Sequence, residues 1–155
     1  KRFTWYPQLV LGLTFNFGAL MGASAMEGYI TTFSALLYLA GVFWTLGYDT
    51  IYAAQDVDDD ALIGIRSTAR KFGASIKKYV AGFYAASVFF LIFAGASSGM
   101  KDPYYIGILV VIAHMVWQVK TWNVKSHKSS LKMFKSNRDL GLIILLSIIA
   151  GMWSI

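Results

Sequence analysis

The sequence contains no cysteine and only two prolines, and just 14% of its 155 residues are charged. Without cysteine there is no disulfide framework, no thiolate metal site and no cysteine nucleophile. A soluble domain has about a quarter of its residues charged. Here 57% of the residues are hydrophobic and the mean hydropathy is +0.55. Such scarce charge in so apolar a chain predicts an integral membrane protein.

Five apolar stretches reach or approach the length of roughly 20 residues that a helix needs to cross a bilayer. They lie at about 7–26, 29–48, 79–97, 104–119 and 140–155. Unbroken apolar runs predict helices, because a membrane barrel shows shorter segments of alternating polarity. We therefore expect a single all-α membrane domain over residues 1–155. The sequence begins without methionine and ends inside an apolar run, so we expect it to be part of a larger domain.

Basic residues concentrate at one end of the predicted bundle. If the N-terminal residues and the segments 49–78 and 120–139 share one side, that side holds thirteen of the fourteen lysines and arginines, with Lys101 alone opposite. This asymmetry predicts that the basic side faces the cytoplasm, or the matrix of a mitochondrion. The net charge of +6 then reflects membrane topology, and nucleic-acid binding is not needed to explain it. The segment 120–139 is most simply a loop that faces lipid headgroups.

An acidic segment follows the second apolar stretch. Residues 48–72, YDTIYAAQDVDDDALIGIRSTARKF, carry five of the chain's eight carboxylates. A helix that continues through this segment would place one stripe of side chains on a single face, because neighbours on a face recur every three or four residues. The stripe comprises Asp49, Tyr52, Asp56 and Asp60. Gly64 is the natural end of such a helix, since glycine is favoured just beyond a helix C-cap.

Carboxylates this closely spaced repel one another and need either a cation or full exposure to water. Hard oxygen ligands suit Mg²⁺, which usually takes one or two protein carboxylates together with substrate phosphates. Asp58 and Asp59 would then point toward water or a second ion. Arg66 would bind phosphate oxygens in a bidentate manner, beside the hydroxyl of Ser67. A solvated acidic cap without a ligand is the alternative at this point.

Few polar side chains interrupt the apolar stretches. The amide of Asn16 needs partners in hydrocarbon, and it either forms an interhelical hydrogen bond or lines a cavity. His114 stands alone in the fourth stretch and is interpreted as a packing residue. Trp44, Tyr48 and other aromatic residues that lead into the acidic stripe either pack in the core or offer their ring faces to a cationic intermediate.

The acidic segment also resembles a known motif. YDTIYAAQDVDDDALIGIRSTA is similar to the second aspartate-rich motif of the UbiA family of membrane prenyltransferases, and especially of its members that prenylate 4-hydroxybenzoate in ubiquinone synthesis. The opening KRFTWYPQLVLGLTFNFGALMG resembles the segment between the fourth and fifth helices of those members. SNRDLG resembles the approach to their last helix. The resemblance covers essentially the whole chain.

This resemblance implies an all-α bundle of nine membrane helices, of which the chain supplies helices five to nine. It implies Mg²⁺ as cofactor, with Asp56 and Asp60 as its main ligands, Asp59 as an additional candidate and Asp49 as a supporting catalytic group. The residues expected to bind the diphosphate or the aromatic acid are Arg2, Asn16, Tyr52, Arg66 and Ser67. Arg66 stands where these members usually have lysine, which keeps the cation. The family's first aspartate-rich motif is missing, so the chain alone is expected to be inactive.

The implied reaction is transfer of a polyprenyl group from its diphosphate to 4-hydroxybenzoate, with a C–C bond formed ortho to the hydroxyl. It would take place in a bacterial plasma membrane or a mitochondrial inner membrane, with the tail in a groove open to lipid. The small residues of the first and third apolar stretches are candidates for that groove. Two alternatives stay open: another acceptor (haem, chlorophyllide, homogentisate or a naphthoate), or a divalent-cation transporter with the acidic stripe as its path.

Overall fold

The computed structural model describes residues 4–153, apart from the side chain of Asp58. This part of the chain forms α-helices and no strand, which confirms the all-α prediction. The helices are α1 (Pro7–Phe15), α2 (Gly18–Glu27), α3 (Thr32–Ala53), α4 (Val57–Leu62), α5 (Thr68–Phe72), α6 (Ile76–Ser97), α7 (Asp102–Thr121) and α8 (His127–Trp153). A short 3₁₀ turn, Gly73–Ser75, joins α5 to α6.

Helix α3 lies at the centre of the bundle. It packs against α1, α2, α6 and α8, while α7 packs against α6 and α8. The close approach of α3 to α6 requires glycine at Gly47, because a Cβ there would overlap the ring of Tyr84. Tyr104 of α7 packs in the same way on Gly95 of α6 and donates a hydrogen bond to the carbonyl of Leu91 at 2.6 Å. Small residues at contact points are what allow membrane helices to approach closely.

Three stretches of the described chain are long and apolar enough to cross a membrane. They are Pro7–Glu27, Thr68–Ser97 and Asp102–Thr121. The first comprises α1 and α2, which are separated by a break at Asn16 and Phe17. Helices α3 and α8 have 22 and 27 residues, but each carries polar or charged side chains over part of its length.

The basic segment 120–139 is largely helical, so its interpretation as a loop was wrong. Helix α7 continues to Thr121 and α8 begins at His127. The first half of α8 is amphipathic: Ser130 and Met133 are buried, while Lys132 and Lys135 lie on the exposed side. Packing of the buried side against α7 stabilises a helix that the high density of lysine had concealed.

The helix before the acidic segment does not continue through it, so the predicted unbroken stripe was wrong. Helix α3 ends at Ala53, and α4 covers only Val57–Leu62. Aspartate favours helix starts over helix interiors, because its side chain competes for backbone N–H groups. Asp56 occupies the N-cap position of α4, although its side chain makes no capping hydrogen bond. The break separates Asp49 from the acidic residues that follow it.

The predicted helix end at Gly64 is confirmed for α4. Gly64 has a φ of +70°, in the left-handed region that favours glycine. Its N–H donates to the carbonyl of Ala61 at 3.4 Å, and the N–H of Ile65 donates to the carbonyl of Asp60 at 2.9 Å. This pair of bonds is a Schellman motif, and it turns the chain sharply after α4.

The two ends of the bundle differ in their chemistry. At one end the N–H of Thr68 in α5 donates to Oε1 of Gln8 in α1 at 3.2 Å. At the other end the N–H of Lys101 donates to the carbonyl of Gly151 at 3.2 Å, which joins the start of α7 to the last turn of α8. The acidic segment and every described cation except Lys101 lie toward the first end.

Candidate functional site

A cavity of about 1150 Å³ opens between α1, α3, α7 and α8 toward the basic end of the bundle. One wall comes from α3 and the end of α1, and its polar residues are Asn16, Thr45, Tyr48 and Asp49. The facing wall comes from α8, and its charged residues are Lys132, Lys135, Arg138 and Asp139. Carboxylate and ammonium groups thus share one cavity in a chain that has little charge.

Asn16 ends α1 and ties it to the central helix. Its Nδ2 donates to the carbonyl of Gly12 at 2.8 Å and to Oγ1 of Thr45 at 2.9 Å. The hydroxyl of Thr45 donates to the Tyr48 hydroxyl at 3.3 Å. Both interpretations left open for Asn16 therefore hold, since the amide forms an interhelical bond and also lines the cavity. Its hydrogen bond with Thr45 holds the end of α1 against α3 at the wall of the cavity.

Aromatic rings form much of the remaining wall. Nε1 of Trp44 donates to Oδ1 of Asn137 at 2.8 Å, which fastens α3 to α8. The rings of Trp44 and Tyr48 meet edge to face at 5.6 Å. Tyr52 is exposed and does not line the cavity itself, but its ring packs at 4.7 Å on that of Phe134, which does. The cavity therefore offers flat apolar faces between its charged groups.

A second cavity of about 250 Å³ lies beside the first. The two share Phe15, Asn16 and Trp44 as lining residues. The second is lined mainly by apolar or small side chains from α2, α3, α6 and α8, among them Leu91 and Ile144. The charged lining of the first cavity thus lies next to the mainly apolar lining of the second.

The acidic residues of α4 lie beyond the end of α3, and none of Asp56, Asp59 and Asp60 is among the residues that line the first cavity. Asp59 is exposed, and Asp56 is partly exposed. Asp60 is only 6% exposed, and its Oδ2 is buried without a hydrogen-bond partner in the described part of the chain. An unpartnered buried carboxylate oxygen is costly unless a cation or donor meets it.

This arrangement fits a divalent cation that takes part of its ligands from elsewhere. The N–H of Asp60 donates to the carbonyl of Asp56 at 2.7 Å, so the two residues lie one helical turn apart at the start of α4. Among the described residues no group of three or more acidic or histidine side chains could hold a metal by itself. Mg²⁺ usually takes one or two protein carboxylates and completes its shell with phosphate and water oxygens. Two carboxylates on α4 meet that requirement.

The segment after α4 is held by a buried polar network. The hydroxyls of Thr50 and Thr68 share a hydrogen bond of 2.7 Å, and Gln8 accepts from the Thr68 N–H. Ser67 is fully buried and caps α5, since its hydroxyl accepts from the N–H of Arg70 at 3.3 Å. The Ser67 oxygen is therefore already used in capping, which accounts for its burial without a substrate.

Two arginines flank this segment and differ in role. Nη1 of Arg70 donates to the carbonyl of Asp60 at 3.2 Å and to that of Ile65, which clamps the end of α4. Arg66 is exposed, and its guanidinium lies 5.5 Å from the centre of the Trp5 ring. Arg66 is thus available to an anionic ligand, whereas Arg70 supports the backbone next to Asp60.

The expected site residues fall into two groups. Asn16 and Asp49 line the cavity, with Tyr52 behind Phe134. The α4–α5 segment carries Asp56, Asp59, Asp60, Arg66 and Ser67. Arg2 lies outside the described residues. Sequence reasoning missed Lys132, Lys135 and Arg70; the spacing of three between the two lysines could have indicated one face of a helix.

Residues 1–151 match the UbiA prenyltransferase family. The chain is 47% identical over 152 residues to the mitochondrial 4-hydroxybenzoate polyprenyltransferase of Bos taurus. Identity is 48% to the protein of the same name in Rattus norvegicus and 47% to that in Homo sapiens. Each comparison covers 97% of this chain and 41% of the relative. The chain thus spans about two fifths of the length of the curated relatives it matches. No solved structure matches it.

Proposed function

Because this chain belongs to the UbiA prenyltransferase family, we propose that it is the C-terminal part of an enzyme that transfers a polyprenyl group from polyprenyl diphosphate to 4-hydroxybenzoate. The names of its relatives support this choice of substrates. The rest of the enzyme supplies the other aspartate-rich motif that the family resemblance implies. The bundle lies in a membrane, with its basic end on the matrix or cytoplasmic side.

The observation that carries the proposal is a pair of cavities that share Phe15, Asn16 and Trp44 as lining residues. The larger has a charged and aromatic lining, and the smaller, between α2, α3, α6 and α8, has a mainly apolar one. The two substrates together need this change of chemistry, because the aromatic acid is charged and the polyprenyl tail is apolar, while the diphosphate would be held by the neighbouring α4–α5 segment. An apolar interior also shields a reactive carbocation from water.

Asp56 and Asp60 are the residues of this chain that would hold Mg²⁺. When bound, the cation would neutralise the negative charge that grows on the departing diphosphate. Arg66 would bind diphosphate oxygens from the neighbouring segment, and Arg70 keeps that segment at a fixed distance from α4. The rings of Trp44 and Tyr48 would stabilise positive charge on the allylic carbon. Asp49 would support the polar wall of the cavity.

In the reaction, the bond between the allylic carbon and the diphosphate oxygen breaks, and the electron pair leaves with the diphosphate. The ring carbon ortho to the hydroxyl of 4-hydroxybenzoate then forms a bond to the allylic carbon, and the ring loses a proton. Residues of this chain contribute by holding the two substrates together and by excluding water.

The direct test is prenyl transfer by the complete enzyme with Asp56→Asn. We expect turnover to fall by at least about a hundredfold, as when a group that stabilises transition-state charge is lost. Asp102→Asn, an exposed carboxylate at the opposite end of the bundle, is the matched control and should keep wild-type turnover. Wild-type rates for Asp56→Asn at limiting Mg²⁺ would refute the assignment.

Assays on the same enzyme preparation distinguish the proposed function from two alternatives. Transfer to homogentisate, a naphthoate or another acceptor in preference to 4-hydroxybenzoate would keep the reaction and change the substrate. Uptake of a radiolabelled divalent cation into proteoliposomes would indicate transport instead. The position of Asp56 and Asp60 on α4, beyond the end of α3, favours an enzyme, since a transport path needs its carboxylates within the bundle.

A further inference from the structure

The α8 wall of the larger cavity carries cations that no described group neutralises. Arg138 and Asp139 form an ion pair at 2.9 Å. Lys132 and Lys135 line the same cavity and have no carboxylate partner among the described residues. Side chains three residues apart lie on one face of a helix, so both ammonium groups rise from the same side of α8.

Aromatic rings stand directly beside these lysines. Nζ of Lys132 lies 6.0 Å from the centre of the Trp117 ring. Phe134 lies between the two lysines in sequence, lines the cavity with them, and contacts the Tyr48 ring edge to face at 5.9 Å. Two unpaired cations at the edge of flat apolar faces are suited to a planar ring that carries an anionic group.

The face is held in place by buried polar contacts from behind. Asn137 is buried and accepts from Nε1 of Trp44. Gln118 of α7 is also buried, donates to Oγ of Ser136 at 2.8 Å, and accepts from the Tyr84 hydroxyl at 2.6 Å. These bonds fix the rotation of α8, so its cationic face is directed to the cavity by a rigid support.

We propose that Lys132 and Lys135 form a subsite for the carboxylate of an aromatic acid, with Phe134 and Trp117 beside its ring. The inference rests on the proposed function and deepens it, since it names the part of this chain that selects a charged acceptor. The alternative anion is the diphosphate. The diphosphate fits this cavity less well, because the residues assigned to it and to its Mg²⁺, Asp56, Asp60 and Arg66, lie on the separate α4–α5 segment.

The test uses Lys132→Gln, Lys135→Gln and the double variant of the complete enzyme. Lys128→Gln is the control, because Lys128 is an exposed lysine of the same helix that does not line the cavity. The acceptors are 4-hydroxybenzoate and its uncharged counterpart 4-hydroxybenzamide. For the benzoate we expect KM to rise about tenfold with each lysine removed, since a hydrogen bond to a charged group contributes that much. For the benzamide, and for polyprenyl diphosphate, KM should stay unchanged.

A second readout does not depend on prenyl transfer. Benzoate or benzamide is titrated into the detergent-solubilised enzyme while the fluorescence of the cavity tryptophans is followed. Wild type and Lys128→Gln should bind benzoate about a hundredfold more tightly than the double variant, and benzamide should bind all of them equally weakly. If transfer fails with every acceptor but this difference in binding holds, the proposed function falls and the subsite stands.

Three results would overturn the subsite. The first is an equal rise in KM for the benzoate and the benzamide. The second is a rise in KM for the diphosphate alone, which would assign the lysines to phosphate. The third is unchanged benzoate binding in the double variant.

Discussion

Replacing Asp60 by asparagine should stabilise the metal-free protein and inactivate the enzyme. Asp60 is 6% exposed, and the Oδ2 of its carboxyl is buried without a hydrogen-bond partner within the described chain. A buried polar atom left without a partner costs about 1–3 kcal/mol, and a charged one costs more. Asparagine leaves a polar atom in the same place without the charge, so the free energy of unfolding should rise by the difference, on the order of 1 kcal/mol, when no cation is present. The same change removes one of the two carboxylates that we assign to Mg²⁺.

Thermal unfolding of the detergent-solubilised enzyme separates the two effects. In EDTA the midpoint for Asp60→Asn should exceed that of the wild type by a few degrees. Adding Mg²⁺ and pyrophosphate should raise the midpoint of the wild type and leave that of the variant unchanged, because a ligand stabilises only the state it binds. Glu27→Gln is the control for removal of an exposed carboxylate, and it should follow the wild type in both conditions.

A lower midpoint for Asp60→Asn in EDTA would refute this reasoning, because it would mean that the carboxylate already makes a favourable contact. An undiminished response of the variant to Mg²⁺ and pyrophosphate would refute the metal assignment separately. Prenyl transfer by the same preparations completes the test, and Asp60→Asn should lose it.

Two further substitutions probe the supports of the site. Gly64→Ala should lower the free energy of unfolding by about 1–2 kcal/mol, because a side chain at φ +70° is strained; Gly82→Ala, in open space within α6, should be neutral or slightly stabilising by thermal shift. If Gly64→Ala lowers the free energy of unfolding no more than Gly82→Ala does, α4 does not end in a Schellman motif at Gly64. Thr68→Val keeps shape but removes the hydroxyl bonded to Thr50, and should cost about 1 kcal/mol. Thr121→Val is its exposed control, and an equal cost for both would show that the buried bond contributes nothing.

Features encoded by a few neighbouring residues could be predicted from the sequence. Gly64 follows a short helix and ends it, because a left-handed residue is needed there whatever the rest of the fold does. Asn16 could be identified as a residue in need of partners, since an amide in an apolar stretch has no other way to satisfy its N–H groups. Which partners it takes, the carbonyl of Gly12 and the hydroxyl of Thr45, depends on the packing of α1 against α3.

Features that depend on contacts between distant parts of the chain could not be predicted from the sequence. Residues 53–55 contain no glycine or proline, so nothing marked the end of α3 before Asp56. The lysines of α8 indicated a loop because the buried positions between them become visible only when α7 packs against them. Arg70 was one cation in a basic run, and its bonds to two backbone carbonyls follow from the turn at Gly64.

Buried polar bonds, more than apolar packing, determine where the site residues stand. In a membrane, lipid tails are as apolar as leucine, so burial of apolar side chains does little to select one helix arrangement over another. In this chain each wall of the site is fixed by polar side chains: Asn16 and Thr45 join α1 to α3, Trp44 and Asn137 join α3 to α8, and Gln118 joins α6, α7 and α8. A polar group deprived of its partner there stays buried and unsatisfied, whereas an apolar contact that is lost can be replaced by lipid. Substitutions in this set should therefore disturb the cavity more than substitutions of leucine or isoleucine on the exposed faces of the same helices.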